Sequence, residues 1–189
     1  MGARFFMSNI DKKIVILTGP PANGKSTIGG LLSEAGFCHI EADNFISSLG
    51  RQRLNDGTWS DIDREEYMTG AAQAALEASQ TGQPVVISDT LTLPWMREFM
   101  TSQLAQPGIT VGLVFVNRIL DEKQIAQIAL KRASEGHALD PDALVKFRKL
   151  FVPLDAITEP HVTLENPGDV DLNKLLVTAL ATIEKLWNN

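Results

Sequence analysis

Short apolar runs alternate with longer amphipathic stretches along this chain. Lys12-Lys13-Ile14-Val15-Ile16-Leu17-Thr18 is a β-branched run of the kind found in strands buried on both faces. Residues 37–40, 84–90, 108–116 and 161–165 read the same way. Helical patterns fill the gaps, from Thr27 to about Ala35, from Arg64 to about Gln80 with Asp61 or Asp63 as its start, and from Pro94 to about Leu104. Three more run from Asp121 through about Arg132, from Asp142 to about Phe151 and from Asp171 to Trp187. Gly36 is placed to end the first helix, and Thr81-Gly82-Gln83-Pro84 the second. Ala71, Ala72, Ala74, Ala75 and Ala78 predict that the second helix packs closely on a sheet. Leu172, Leu175, Leu176, Ala179, Leu180 and Ile183 form one stripe on the last. Strands alternating with helices predict an α/β fold, a parallel sheet covered on both faces.

The first strand runs into Gly19-Pro20-Pro21-Ala22-Asn23-Gly24-Lys25-Ser26, followed by Thr27 and a helix. This fits G-x-x-x-x-G-K-[ST] in its strand–loop–helix setting, the phosphate-binding loop. Glycines let backbone N–H groups turn inward around phosphates, and the helix N-terminus adds its positive end. Gly19, Ala22, Asn23, Gly24, Lys25, Ser26 and Thr27 are therefore the expected nucleotide contacts. Lys25 would reach the β- and γ-phosphates, and the Ser26 hydroxyl would hold Mg²⁺. The expected ligands are thus a nucleoside triphosphate and Mg²⁺; no base-specific motif decides between ATP and GTP.

Ligands of open parallel sheets gather beyond the carboxyl ends of the strands. Asp43 follows the second strand there. It could take a proton from an attacking hydroxyl, or cap a helix starting near Asn44. Asp89 ends the third strand. It could hold Mg²⁺ through water, or simply form a turn before Thr90. Residues 50–61 are polar and irregular. They read either as a substrate loop, with Trp59 as a flat face and Arg51 or Arg53 as an anion contact, or as a solvated connection. Arg97 could face the cleft or water. Residues 134–141 interrupt two helices, with Arg132 before the break and Arg148 after it. That is the form of a lid over about 131–142, whose arginines could stabilise transition-state charge or lie on the surface. Asn166-Pro167-Gly168-Asp169, after the fifth strand, could border the base.

The 189 residues suit one domain. A net charge of −6 without clustered Lys and Arg argues against a nucleic-acid-binding module. Cys38 is the single cysteine, so no internal disulfide forms, and a reducing, cytoplasmic setting is expected. His39, His137 and His161 lack metal-ligand spacing, and no nucleophile signature is present. Residues 1–11 read as a short tail, and no run is long enough to cross a membrane.

The phosphate loop, Asp43, Asp89-Thr90 and the Arg-bearing lid together resemble the P-loop kinases of small molecules. Val85-Val-Ile-Ser-Asp-Thr-Leu-Thr-Leu-Pro-Trp-Met-Arg97 is similar to a segment of the polynucleotide-kinase-like and zeta-toxin-like branch. Ile40-Glu-Ala-Asp43 is similar to the segment in which that branch and the chloramphenicol phosphotransferases place the catalytic Asp. Gly136-His137 with Asp142-Ala-Leu-Val-Lys-Phe-Arg resembles the lid of gluconate kinases, although Ser134 stands at their lid arginine. The resemblance implies a single three-layer P-loop NTPase domain over residues 1–189, with sheet order 2-3-1-4-5 and a helical lid. It implies transfer of the ATP γ-phosphoryl group to a hydroxyl, with Lys25, Asp43 and Arg132 catalytic and Ser26 and Asp89 serving the metal. A small sugar, antibiotic or other polar metabolite is the expected acceptor. A polynucleotide 5′-hydroxyl kinase, or a nucleotide-binding regulatory or toxin-type protein, is the alternative.

Overall fold

The computed structural model describes residues 12–134, 141–155 and 158–188; the side chains of 132–133 and 141–143 fall outside the description. Five strands, β1 (Lys12–Thr18), β2 (Cys38–Glu41), β3 (Val85–Ser88), β4 (Ile109–Asn117) and β5 (His161–Glu165), form one parallel sheet. Its order is β2-β3-β1-β4-β5, the expected 2-3-1-4-5. The register sets Leu17 level with Ser88 and Val114, Ser88 level with Glu41, and Asn117 level with Glu165. All five strands therefore end along one edge, and the loops leaving that edge share one surface.

Side chains of a strand alternate between faces, and β1 does so strictly. Ile14 and Ile16 enter one core with Val85, Ile87 and the helices α3 (Asp61–Ser79) and α4 (Pro94–Leu104). Val15 and Leu17 enter the other with Val86, α1 (Lys25–Glu34) and α7 (Leu172–Asn188). The predicted small-residue packing is present, with Ala71, Ala72 and Ala75 buried against the sheet. A larger side chain at these positions would cost about 1–3 kcal/mol in overpacking.

Two local expectations are corrected. The irregular stretch 50–61 contains most of a helix, α2 (Ser48–Asn55), capped by Ser47, whose hydroxyl accepts from the Gly50 N–H at 3.1 Å. Its sequence is too polar to show an apolar stripe, so the cap is its main local signal. The helix expected near Asn44 is only a 3-10 turn over Ala42–Phe45 with no side-chain cap, so Asp43 caps no helix. Of the two starts expected for α3, Asp61 is the one found, because Ser60 and Asp63 form a reciprocal capping box. The remaining helices, α5 (Glu122–Ser134) and α6 (Pro141–Leu150), flank the expected lid, whose residues 135–140 lie outside the description.

Candidate active site

The loop between β1 and α1 is shaped by close packing. Gly19 has φ 145°, and a Cβ there would stand 2.6 Å from the Val116 carbonyl oxygen. Gly24 has φ 88°, and a Cβ there would meet Asn166 Nδ2 at 2.4 Å. Side chains at either position would force the loop off its neighbours. Asn23 is buried and donates from Nδ2 to the Val116 carbonyl at 2.7 Å. Asn166, in the loop after β5, donates to the Asn23 carbonyl at 2.8 Å. The phosphate loop is thus braced by the ends of β4 and β5, the two neighbouring strands on that side.

Lys25 is buried, its ammonium donating to the carbonyls of Gly19 at 2.8 Å and Pro20 at 3.0 Å. Its charge rests over the loop mouth. Ser26 and Thr27 are exposed at the start of α1 and line a cavity of about 500 Å³. Ala22, Gly24, Lys25, Asp43 and Asp89 line the same cavity, whereas Gly19 and Asn23 lie behind it as bracing.

Asp89 is buried just past β3. One carboxylate oxygen accepts from Tyr67 Oη and the Leu91 N–H, each at 3.4 Å; the other has no hydrogen-bond partner among the described residues. Burial, and next the nearby Asp43 charge, push its pKa up to about 7, against the N–H of Thr90 and the Lys25 charge. An orphaned buried carboxylate oxygen in the same cavity as an exposed hydroxyl suits a hydrated divalent cation. No group of three or more His, Cys, Asp or Glu able to hold a metal occurs among the described residues, so the remaining ligands would come from phosphate oxygens and water.

Two residues outside the motif complete the electrostatics. Arg148, on α6, donates to the Pro21 carbonyl and, at 2.7 Å, to Asn23 Oδ1. Arg118, directly after β4, lines the cavity and packs on Gly168. Its Nε is buried without a partner among the described residues. Burial, and then the neighbouring Arg118 charge, lower the Arg148 pKa. Two mutually repelling guanidiniums beside a phosphate loop favour a bound anion. Arg118 escaped the sequence reading, although its place at a strand's carboxyl end was the available signal. Tyr67 carried no local signal at all, sitting in an Ala-rich helix. Arg132 lies on α5, and its side chain is outside the described residues. Arg97 faces neither cleft nor water: it is buried, paired with Glu159.

A 2-3-1-4-5 sheet, a phosphate loop and two acidic groups in one cleft define a P-loop kinase. The AAA-domain family matches residues 14–154, and the chain belongs to that family. A gluconokinase of Arabidopsis thaliana is 27% identical over 145 residues, which are 74% of this chain and 77% of that protein. The structure of a gluconokinase from Sinorhizobium meliloti 1021 superposes with TM-score 0.67 at 19% identity, covering 95% of this chain and 97% of that one. An APS kinase of Mycobacterium tuberculosis, in complex with AMPPNP and APS, gives TM-score 0.61 at 21% identity over 91% and 97%. These two structural likenesses are likenesses of fold.

Proposed function

We propose that the chain transfers the γ-phosphoryl group of ATP to a hydroxyl of a small, anionic polyol, with a sugar acid as the first candidate. The observation that carries this reading is the shared cavity. The phosphate loop, Asp43, and an acceptor wall that includes Trp59 and Arg64 all face it. Phosphoryl transfer needs positioning and charge stabilisation more than covalent chemistry. Lys25 and the loop N–H groups hold the phosphates. The Asp43 carboxylate, on the exposed turn after β2, accepts the acceptor's hydroxyl proton. Ser26 and Asp89 would hold Mg²⁺, which when bound would neutralise phosphate charge. Arg132, at the start of a lid spanning about 131–142, and Arg148, beyond it on α6, stabilise charge on the transferring group.

The acceptor class follows from the wall opposite the phosphates. Trp59 offers a flat face on which a sugar's C–H groups stack, and Arg64, whose Nη1 meets the exposed Asp61 carboxylate at 3.0 Å, keeps further guanidinium donors for a substrate carboxylate. Similarity to a gluconokinase supports the same class. A polynucleotide acceptor is disfavoured because Arg53 pairs with Asp63 at 2.5 Å and Arg97 with Glu159. Two of the three arginines that a basic groove would use are therefore already engaged with carboxylates. A cytoplasmic location accompanies the reading; no helix among the described residues is long and apolar enough to cross a membrane.

The test is a transfer screen with γ-labelled ATP and Mg²⁺ against sugar acids, neutral sugars, nucleosides, antibiotics and a 5′-hydroxyl oligonucleotide. Lys25-dependent label in the sugar acids is expected. Label confined to the oligonucleotide would overturn the acceptor assignment.

A further inference from the structure

The turn that carries Asp89 is held in shape from behind, away from the nucleotide. Leu91 is fully buried with φ 42°, a conformation that L side chains rarely adopt. Such geometry persists only where the surroundings over-determine it. Here the surroundings are Arg97. Its Nη1 donates to the Leu91 carbonyl at 2.9 Å and to the Val152 carbonyl at 3.2 Å. The Val152 N–H donates in turn to the Thr92 carbonyl at 2.9 Å. The guanidinium carbon lies 5.7 Å from the Phe151 ring centroid. Nε and Nη2 grip both oxygens of Glu159, the Nη2 contact being 2.8 Å.

We propose that Arg97, oriented by Glu159, is a positioning residue for phosphoryl transfer. It joins the Asp89 turn to the end of α6, which carries Arg148. Arg97 fixes the carbonyl on one side of the Leu91 α-carbon, and the Leu91 N–H on the other side donates to Asp89 Oδ1. Fixing Val152 anchors the chain four residues beyond Arg148. One guanidinium thus holds the placement of the buried carboxylate and of an arginine that rests on the phosphate loop. The role calls for an arginine. A buried ion pair gives little net stability over an apolar pair of similar volume, whereas only the planar fork meets two carbonyls and a carboxylate together.

The inference rests on the phosphoryl-transfer reading, and its test separates the two. The double variant Arg97→Met/Glu159→Leu removes both charges together, so neither is left buried alone. Turnover is measured as label transfer to the acceptor that the wild type uses, and as hydrolysis of Mg·ATP without acceptor. Both are normalised to the stoichiometry of fluorescent ATP-analogue binding. Amide hydrogen exchange is followed in parallel. We expect a folded protein with kcat lowered about 100-fold, the loss expected of displacements near 1 Å, and acceptor KM within about twofold. Exchange should quicken over residues 89–93 and 148–154 while β1 and β4 stay protected. A stable double variant with wild-type kcat and exchange would overturn the proposal and leave the pair purely structural. If that variant does not fold, Glu159→Gln replaces it under the same measurements. Wild-type kcat per nucleotide-binding molecule would again overturn the proposal. Failure of the wild type to label any acceptor would sink the acceptor reading only, since hydrolysis and exchange still test Arg97.

Discussion

Arg148 donates to Asn23 Oδ1 at 2.7 Å, so a helix beyond the lid break rests on the phosphate loop. The same Asn23 uses its Nδ2 to hold the Val116 carbonyl. The guanidinium is thereby docked on a loop element that is itself fixed.

Replacing Arg148 by Met tests what that contact is for. The aliphatic stem is kept and the charge removed. If Arg148 stabilises transition-state charge, kcat should fall about 10²–10³-fold, with a smaller change in KM for ATP. Steady-state kinetics on the acceptor found in the screen measure this. An unchanged kcat with a lowered melting temperature would move the role to Arg118 or Arg132.

Asp43 lies on an exposed 3-10 turn at the cavity rim. Asp43→Asn keeps the shape and removes the base. Turnover should drop by about 10²–10⁴-fold, while ATP binding and melting temperature stay near wild type. Lys25→Ala should also abolish transfer and leave the fold intact. Calorimetric nucleotide titration beside kinetics separates the two, because Lys25→Ala weakens ATP binding and Asp43→Asn does not. Near-normal turnover of Asp43→Asn would remove it from the mechanism.

The sheet was legible because each strand is a short apolar run and each covering helix carries small or apolar residues at helical spacing. Sheet order came from the family resemblance, not from periodicity. The phosphate loop was legible because phosphate binding constrains both residue type and spacing. α2 was not, since its residues make no apolar stripe and its cap is one serine. Arg97 was left between cleft and water because sequence position cannot reveal Glu159, brought to it from beyond α6. Tyr67 reaches Asp89 only through the packing of α3 on the sheet.

The capping box of α3 predicts a defined acid response. Hydrogen bonds from the Ser60 side chain and backbone hold the Asp63 carboxyl down at about 2, aided by Arg53. Its ordinary value is 3.8. A depressed carboxyl stabilises the fold above its unfolded pKa, and that contribution is lost as pH falls through the folded value. The melting-temperature advantage of wild type over Asp63→Asn should be constant above about pH 5 and shrink steadily toward about pH 2. Thermal scans across that range would show it. A pH-independent gap would mean that the ionised form is not what the cap uses.

Asp89 predicts the opposite slope. Its folded pKa of about 7 lies above its ordinary 3.8, so between these values the folded state binds more protons than the unfolded chain. Stability then falls as pH rises from about 4 to about 7 and stays reduced above. Asp89→Asn removes that burden. Without nucleotide or Mg²⁺ it should melt higher than wild type at pH 8, reflecting a stability gain of roughly a few kcal/mol at most, and about equally at pH 4. The same variant should transfer phosphoryl groups poorly at every pH. Equal melting at pH 8 would show that the carboxylate is solvated more than its burial implies.

Gly29 and His39 form the last test, on packing behind the loop. A Cβ on Gly29 would stand 2.2 Å from His39 Nε2. That nitrogen is 2.9 Å from Ser88 Oγ, which also donates to the Lys25 carbonyl at 3.3 Å. Helix propensity alone favours Gly29→Ala by about 1 kcal/mol. The contact predicts the reverse, a loss of about 1–3 kcal/mol from overpacking, because the imidazole must leave its partner to make room. His39→Ala opens the space at the cost of that hydrogen bond. Gly29→Ala combined with His39→Ala should therefore be more stable than the sum of the single effects, a coupling readable in urea denaturation. Additive effects would show that the helix moves away from β2 instead. In that case Gly29→Ala would also disturb ATP binding, since α1 begins at Lys25.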